Sequence, residues 1–341
     1  MVEKNLSPLE EIFFELIRAG LHGRKPDIPR DLSLQDWGRL LTLAKKQSVT
    51  GLLFRGVSFC GEGYPLPEQI LFRLVAEDDR VERTGEKLKQ ASDGLSLTLS
   101  SAGLHPIVLK GATVAAWYPV PSQREYGDID VYLPPEEFDK APEVLGMPVS
   151  KAPDGSLHYQ WQGVDVDLHR RYFDLHLPDR RLPVPGTPEA TLLMLSAHAM
   201  KHAVGAGVGL RQCIDMAVAY EHLGPQVATE RLESVYRDSG TLRWNRLLSA
   251  FIEKYLDFHP AFGGEGTCPD ALLKIVREGG NFGHHAGGRL DAINKSALRR
   301  KADTLLRFVK RAPFSLKYAA GETIRSVLSL AGGNHAPYQR M

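Results

Sequence analysis

The stretch Gly127-Asp128-Ile129-Asp130-Val131-Tyr132-Leu133 decides how the chain is read. It is a short apolar, β-branched run interrupted by two carboxylates, and Pro134 and Pro135 close it. Residues i and i+2 of a strand share a face. Asp128 and Asp130 therefore point one way, and Ile129 and Val131 the other. Two carboxylates this close repel each other, and burial pushes at least one pKa up. A divalent cation removes the conflict. Magnesium is held by one or two carboxylates, with water and substrate phosphates completing its shell. The chemistry served by such a pair is phosphoryl or nucleotidyl transfer, in which metal ions clamp the attacking and leaving oxygens.

Working outward, "HPIVLKG" before this run reads as a strand over Ile107–Lys110, and "ATVAAWY" after Gly111 as a helix that stops at Pro119. A strand that ends in glycine and opens a helix suits phosphate, because helix N-termini present free N–H groups and a positive dipole. Lys110, Gly111 and Thr113 are the candidate phosphate contacts. "PVPSQREYG" is a Pro-rich loop, and its Arg124 is a further candidate. Downstream, "PPEEFDKAPEVLG" reads as a helix. "LHYQW", a turn at Gly163 and "VDVDLHRRYF" then read as a β-hairpin. Asp165 and Asp167 share one face of its second strand, opposite Val164, Val166 and Leu168. Asp167 is placed to supply a third carboxylate, as a metal ligand or as the base for an incoming nucleophile. His169 is read as turned to the face opposite Asp167, in a structural role.

Helical patterns flank this segment. Ser7 and Ser33 are read as N-caps of amphipathic helices, and a long helix with many opposite-charge pairs runs to Gly103. Thr187-Pro188-Glu189 starts a second helical series containing "HAMKH" and "LRQCID". The expected architecture is α+β: an N-terminal helical region over 1–100, a mixed-sheet core over 101–185 and a C-terminal helical domain over 186–341. The net charge of +1 argues against a global field for nucleic acid or membranes. The basic tail is a local exception, with nine Lys/Arg against two Asp between Arg289 and Lys317. It reads as a solvated amphipathic helix. Cys60, Cys213 and Cys268 are far apart and fit a reducing compartment. With no signal-peptide pattern and no apolar run long enough to span a bilayer, the expected location is cytoplasmic.

The order Lys110-Gly111, Arg124, Gly127-Asp128-Ile129-Asp130 and Asp167-Leu168-His169 resembles the nucleotidyltransferase superfamily, the polymerase-β-like fold. It is most similar to an uncharacterised bacterial branch that also carries a helix like "HAMKH", an "LRxxxD" segment and a GNFG-type loop. These correspond to His198, Lys201 and His202, to Arg211 and Asp215, and to Gly280–Gly283. In the wider superfamily Gly or Ser follows the glycine of the phosphate motif, whereas Ala112 follows Gly111 here. The resemblance implies a nucleotidyltransferase-fold mixed sheet and a two-metal, NTP-dependent reaction. Asp128, Asp130 and Asp167 would be its metal-binding catalytic residues, with Mg2+ or Mn2+ as cofactor. Lys110, Gly111, Thr113 and Arg124 would bind the nucleotide, ATP being the expected donor. His198, Lys201, His202, Arg211 and Asp215 are candidate cleft residues; as residues alone they also read as a structural helix face. The acceptor is unidentified, with a small molecule or peptide favoured over nucleic acid. Two other readings fit the DxD pair: a metal-dependent glycosyltransferase, and a nucleotidyltransferase-fold binding module without catalysis.

Overall fold

In the computed structural model the described residues are 6–146, 150–151, 155–175, 182–205, 207–264 and 266–280. They divide into two units, with the boundary after Tyr172. In the first unit, α1 (Pro8–His22) opens with Ser7 as N-cap. The Ser7 hydroxyl accepts from the Glu10 N–H, and the Glu10 carboxylate accepts from the Ser7 N–H at 2.8 Å, a reciprocal capping box. Ser33 caps α2 (Leu34–Gln47) with a hydroxyl that accepts from the Asp36 N–H at 3.1 Å. Then follow α3 (Thr50–Ser58) and α4 (Glu68–Ser101), a helix of 34 residues. The strand β1 covers Ile107–Val108, two residues shorter than the sequence suggests, and α5 (Ala112–Ala115) is a single turn of helix.

The acid-bearing run forms β2 (Asp128–Tyr132). The segment after it folds as two short helices, α6 (Pro135–Phe138) and α7 (Ala141–Leu145), rather than one. Pro142 explains the break, since its ring removes a backbone N–H donor and suits a first turn. The sheet is completed by β3 (Ser150–Lys151), β4 (Leu157–Trp161) and β5 (Val164–His169). The strand order is β1-β2-β5-β4-β3. β2 and β5 run parallel and the other pairs antiparallel. The fold is therefore the expected α+β arrangement, a mixed sheet with helical segments before and after it in the chain.

The two faces of this sheet differ. Ile129, Val131 and Leu133, Val164, Val166 and Leu168, and Leu157 and Tyr159 point into one core. Leu88, Ala91, Leu95 and Leu99 of α4 meet them from above, spaced as one helix face. Each such leucine contributes roughly 1.5–3 kcal/mol by leaving water. This apolar face answers why carboxylates occur in the strand. They occupy the other face, and the alternation of β2 and β5 separates the two sets of side chains.

The loop between α5 and β2 is anchored to the helices. Val49 places no side-chain cap on α3, and the Glu125 carboxylate accepts from the Thr50 N–H at 2.7 Å instead. Gln123 donates to Asp78 of α4 at 3.0 Å, Ser122 donates to Glu82 at 3.2 Å, and the Tyr126 hydroxyl donates to the Gly85 carbonyl at 3.3 Å. Gly51 permits the close approach: a Cβ there would lie 2.7 Å from the Gln123 Cβ and 2.8 Å from its carbonyl oxygen.

The second unit contains α8 (Pro188–Val204), α9 (Leu210–Leu223), α10 (Thr229–Ser239), α11 (Leu242–Leu256) and α12 (Asp270–Gly279). Thr187 caps α8, as its sequence predicts. A buried polar network ties the bundle. Asn245 accepts from Ser196 at 2.6 Å and Tyr220 at 3.1 Å, and donates to Thr241, while the Trp244 indole donates to the Ser196 carbonyl. Buried polar groups of this kind are costly when left unmade, so the network specifies how these helices dock. No described helix is long and apolar enough to cross a membrane.

Candidate active site

On the polar face of the sheet, the parallel register places Asp128 beside Asp165 and Asp130 beside Asp167. The antiparallel register of the hairpin places His158 beside Asp167. Asp130 is buried and is held from two sides. His169 Nε2 lies 2.8 Å from its Oδ1, and Lys110 Nζ lies 3.1 Å from its Oδ2. Asp167 meets the ring of His158 through Nδ1. One ligand atom each from Asp130, Asp167 and His169 falls within a sphere of reach of 4.8 Å, the one such group among the described residues. Asp128 begins β2 and is exposed; it lies outside that group.

Burial pushes the Asp167 carboxyl above its ordinary range, and the neighbouring Asp130 charge adds to this. His158 and His169 act in the opposite direction. The carboxyl conflict expected from a close acidic pair therefore arises between strands, across Asp130 and Asp167, rather than along β2. The expectation for His169 is corrected. Residues 167 and 169 are two apart on one strand, so they share a face, and His169 turns toward Asp130. His158 had no place in the sequence reading, yet a signal for it exists. Gln162 and Gly163, with φ of 50° and 70°, form a two-residue hairpin turn. That turn pairs Trp161 with Val164, and counting back from it sets His158 opposite Asp167.

Around Gly111 the local contacts are specific. Gly111 has φ 55° and ψ −114°, in the positive region that glycine tolerates. A Cβ there would come 3.1 Å from the Tyr126 ring. The Thr113 hydroxyl donates to the Val108 carbonyl at 3.0 Å, which stitches α5 to β1. Arg124 is buried. It donates from Nη1 to the Gly111 carbonyl at 3.2 Å, and its guanidinium lies 5.4 Å from the centre of the Tyr126 ring. The chain thus brings Lys110 to Asp130, while Arg124 and Thr113 both hold the backbone around Gly111.

The remaining candidates lie in the second unit. His198, Lys201 and His202 share one face of α8. Asp174 accepts from His198 Nδ1 at 3.2 Å and from Lys201 at 3.0 Å, and the Nε2 atoms of His198 and His202 are 3.2 Å apart. Arg211 and Asp215 are both buried on α9, a helix whose residues are inaccessible over most of its length. Of the GNFG segment, Gly280 ends the described residues. Asn281, Phe282, Gly283, His284, His285 and the basic tail lie outside them.

Comparison with known proteins finds no matching curated protein and no matching solved structure. A family model described as an uncharacterised nucleotidyltransferase matches residues 33–257, which takes in the α2–α4 helices, the whole sheet and the helices through α11. A mixed sheet carrying paired aspartates on neighbouring parallel strands accords with that match, and the chain belongs to this uncharacterised nucleotidyltransferase family.

Proposed function

We propose that the protein transfers a nucleoside monophosphate group from a nucleoside triphosphate to an acceptor hydroxyl or phosphate, with release of pyrophosphate. The observation that carries this reading is the pairing of Asp130 with Asp167 across β2 and β5, with His169 on the same face. The donor set fits a divalent cation. Two carboxylates suit magnesium or manganese. The raised Asp167 carboxyl is the electrostatic sign of a conflict that a cation relieves. Asp130, Asp167 and His169, with Asp128 at the open end of β2, would hold such an ion, which would supply charge neutralisation to the phosphates.

In this reading Lys110 sets its ammonium beside the transferred phosphoryl group. Arg124 and Thr113 act by shaping the Gly111 backbone toward the nucleotide. Asp167 is the residue placed to accept the proton of the acceptor hydroxyl. The acceptor oxygen bonds to the α-phosphorus as the bond to pyrophosphate breaks. Positioning and charge carry most of the acceleration. ATP is the proposed donor, and a small molecule or a peptide the proposed acceptor class.

The test is pyrophosphate release from each of the four common NTPs with magnesium or manganese, together with thermal-shift titration. Wild-type protein is expected to be stabilised by one NTP in the presence of metal. Asp130→Asn is expected to lose both responses. Equal metal-dependent nucleotide affinity in wild type and Asp130→Asn sinks the reading.

A further inference from the structure

Lys110 and His169 between them engage both oxygens of Asp130. Lys110 Nζ lies 3.1 Å from Oδ2, and His169 Nε2 lies 2.8 Å from Oδ1. The Asp130 side chain is only 7% exposed, and a carboxylate so sheltered is costly to hold charged without a counter-charge beside it. Lys110 supplies that counter-charge. The backbone fixes its place: β1 pairs antiparallel with β2, and the Leu109 N–H donates to the Asp130 carbonyl at 3.0 Å. The pair is asymmetric. Asp130 is enclosed, whereas the Lys110 side chain is 19% exposed and carries its ammonium on a flexible stem.

The carboxylate that Lys110 holds is the one that meets Asp167 and His169 across the sheet, with one ligand atom of each within 4.8 Å of the others. An ammonium and a divalent cation on one carboxylate repel each other, and shelter from water strengthens the repulsion. Lys110 therefore competes with metal for Asp130. The phosphates of a nucleoside triphosphate change that balance. They offer the ammonium other anionic oxygens, so it leaves Asp130 without going unpaired. Lys110 stands between β1 and α5, directly before the turn at Gly111, where those phosphates are expected. Metal on Asp130 and phosphate on Lys110 thus favour each other.

We propose that Lys110 is an internal counter-ion that keeps metal off Asp130 until a nucleoside triphosphate draws the ammonium away. This rests on the reading of the acidic face as the metal and nucleotide site, and it adds the order of filling. Metal is admitted with the nucleotide rather than ahead of it. The coupling is reciprocal: the factor by which nucleotide tightens metal is the factor by which metal tightens nucleotide.

The test is manganese binding to the full chain, followed by the paramagnetic resonance of the free ion. It is run with and without a non-hydrolysable analogue, methylene-bridged between the α- and β-phosphates, of the NTP that stabilises the protein. Wild type is expected to bind manganese about 10-fold or more tightly with the analogue than without it. Lys110→Met keeps the stem and drops the charge. It is expected to bind manganese alone about 10-fold or more tightly than wild type does, and to lose most of the analogue's effect. A second measurement needs no variant. Amine-reactive labelling of wild type, read at Lys110 by mass spectrometry, is expected to rise with saturating manganese alone and to fall when the analogue is added. Lys110→Met that binds manganese alone no more tightly than wild type overturns the proposal and leaves the transfer reading standing. So does Lys110 labelling unmoved by manganese. Wild type that binds no manganese under either condition, or Asp130→Asn that binds it as well as wild type, removes the transfer reading and the proposal together.

Discussion

Replacing Asp78 by Asn tests how the loop before β2 is held. Asp78 is buried on α4, and burial pushes its carboxyl up to about 6 from an ordinary value of 3.8, with the Glu82 and Asp79 charges adding to the rise. Gln123 donates to it and acts the other way. The sign follows from proton binding. Between pH 4 and 6 the folded protein holds this proton and the unfolded chain does not, so stability falls as pH rises through that window. A rise of about two units corresponds to about 3 kcal/mol, lost in full above pH 6. Asn carries no charge to desolvate. Its amide also offers a donor to Gln123 Oε1, which is buried without a hydrogen-bond partner among the described residues. Urea titration of wild type and Asp78→Asn from pH 4 to 8 is the assay. At pH 8 the variant is expected to be more stable by up to about 3 kcal/mol, the gap closing toward pH 4. A gap that does not change with pH, or a variant less stable than wild type at pH 8, refutes the reasoning.

Other perturbations follow from the same geometry. Gly51→Ala drives a methyl into the Gln123 backbone, where overpacking costs about 1–3 kcal/mol, and is expected to lower the melting temperature and weaken nucleotide stabilisation together. Asn245→Ala leaves the Ser196 hydroxyl without its acceptor in a closed interior. Urea denaturation is expected to register a loss of about 2–4 kcal/mol in the second unit. His169→Ala removes the imidazole beside Asp130, and pyrophosphate release with manganese is expected to fall by about 100-fold or more while the melting temperature changes little. His158→Gln keeps a donor near Asp167 without the ring. It is expected to reduce the same rate by about 10–100-fold with the circular dichroism spectrum unchanged.

Much of the fold was written in local patterns. Ser7, Ser33 and Thr187 cap helices because their side chains take up N–H groups that a first turn cannot satisfy within itself. The alternation in "DIDVY" and "VDVDLH" separates an apolar face from an acidic one by parity alone. Parity also places His169 with Asp167, and the hairpin turn places His158 opposite it, so both were within reach of the sequence. The antiparallel contact that carries Lys110 to Asp130 was not. The alignment of β1 with β2 depends on how the Pro-rich loop returns, and that loop takes its path from Thr50, Asp78, Glu82 and Gly85, residues far away in the chain. Pairings across such separations have no local signature. The contacts of His198 and Lys201 needed Asp174, which lies 24 residues before His198.

The anchored loop also bears on what can be cut out of this chain. Expressed without α1–α4, the acidic strands would lose the acceptors for Ser122, Gln123 and Tyr126 along with the leucines that cover the apolar face of the sheet. The strands are therefore no transplantable cassette. Their alignment is inherited from the helices that precede them, and a graft onto another scaffold must carry those helices along.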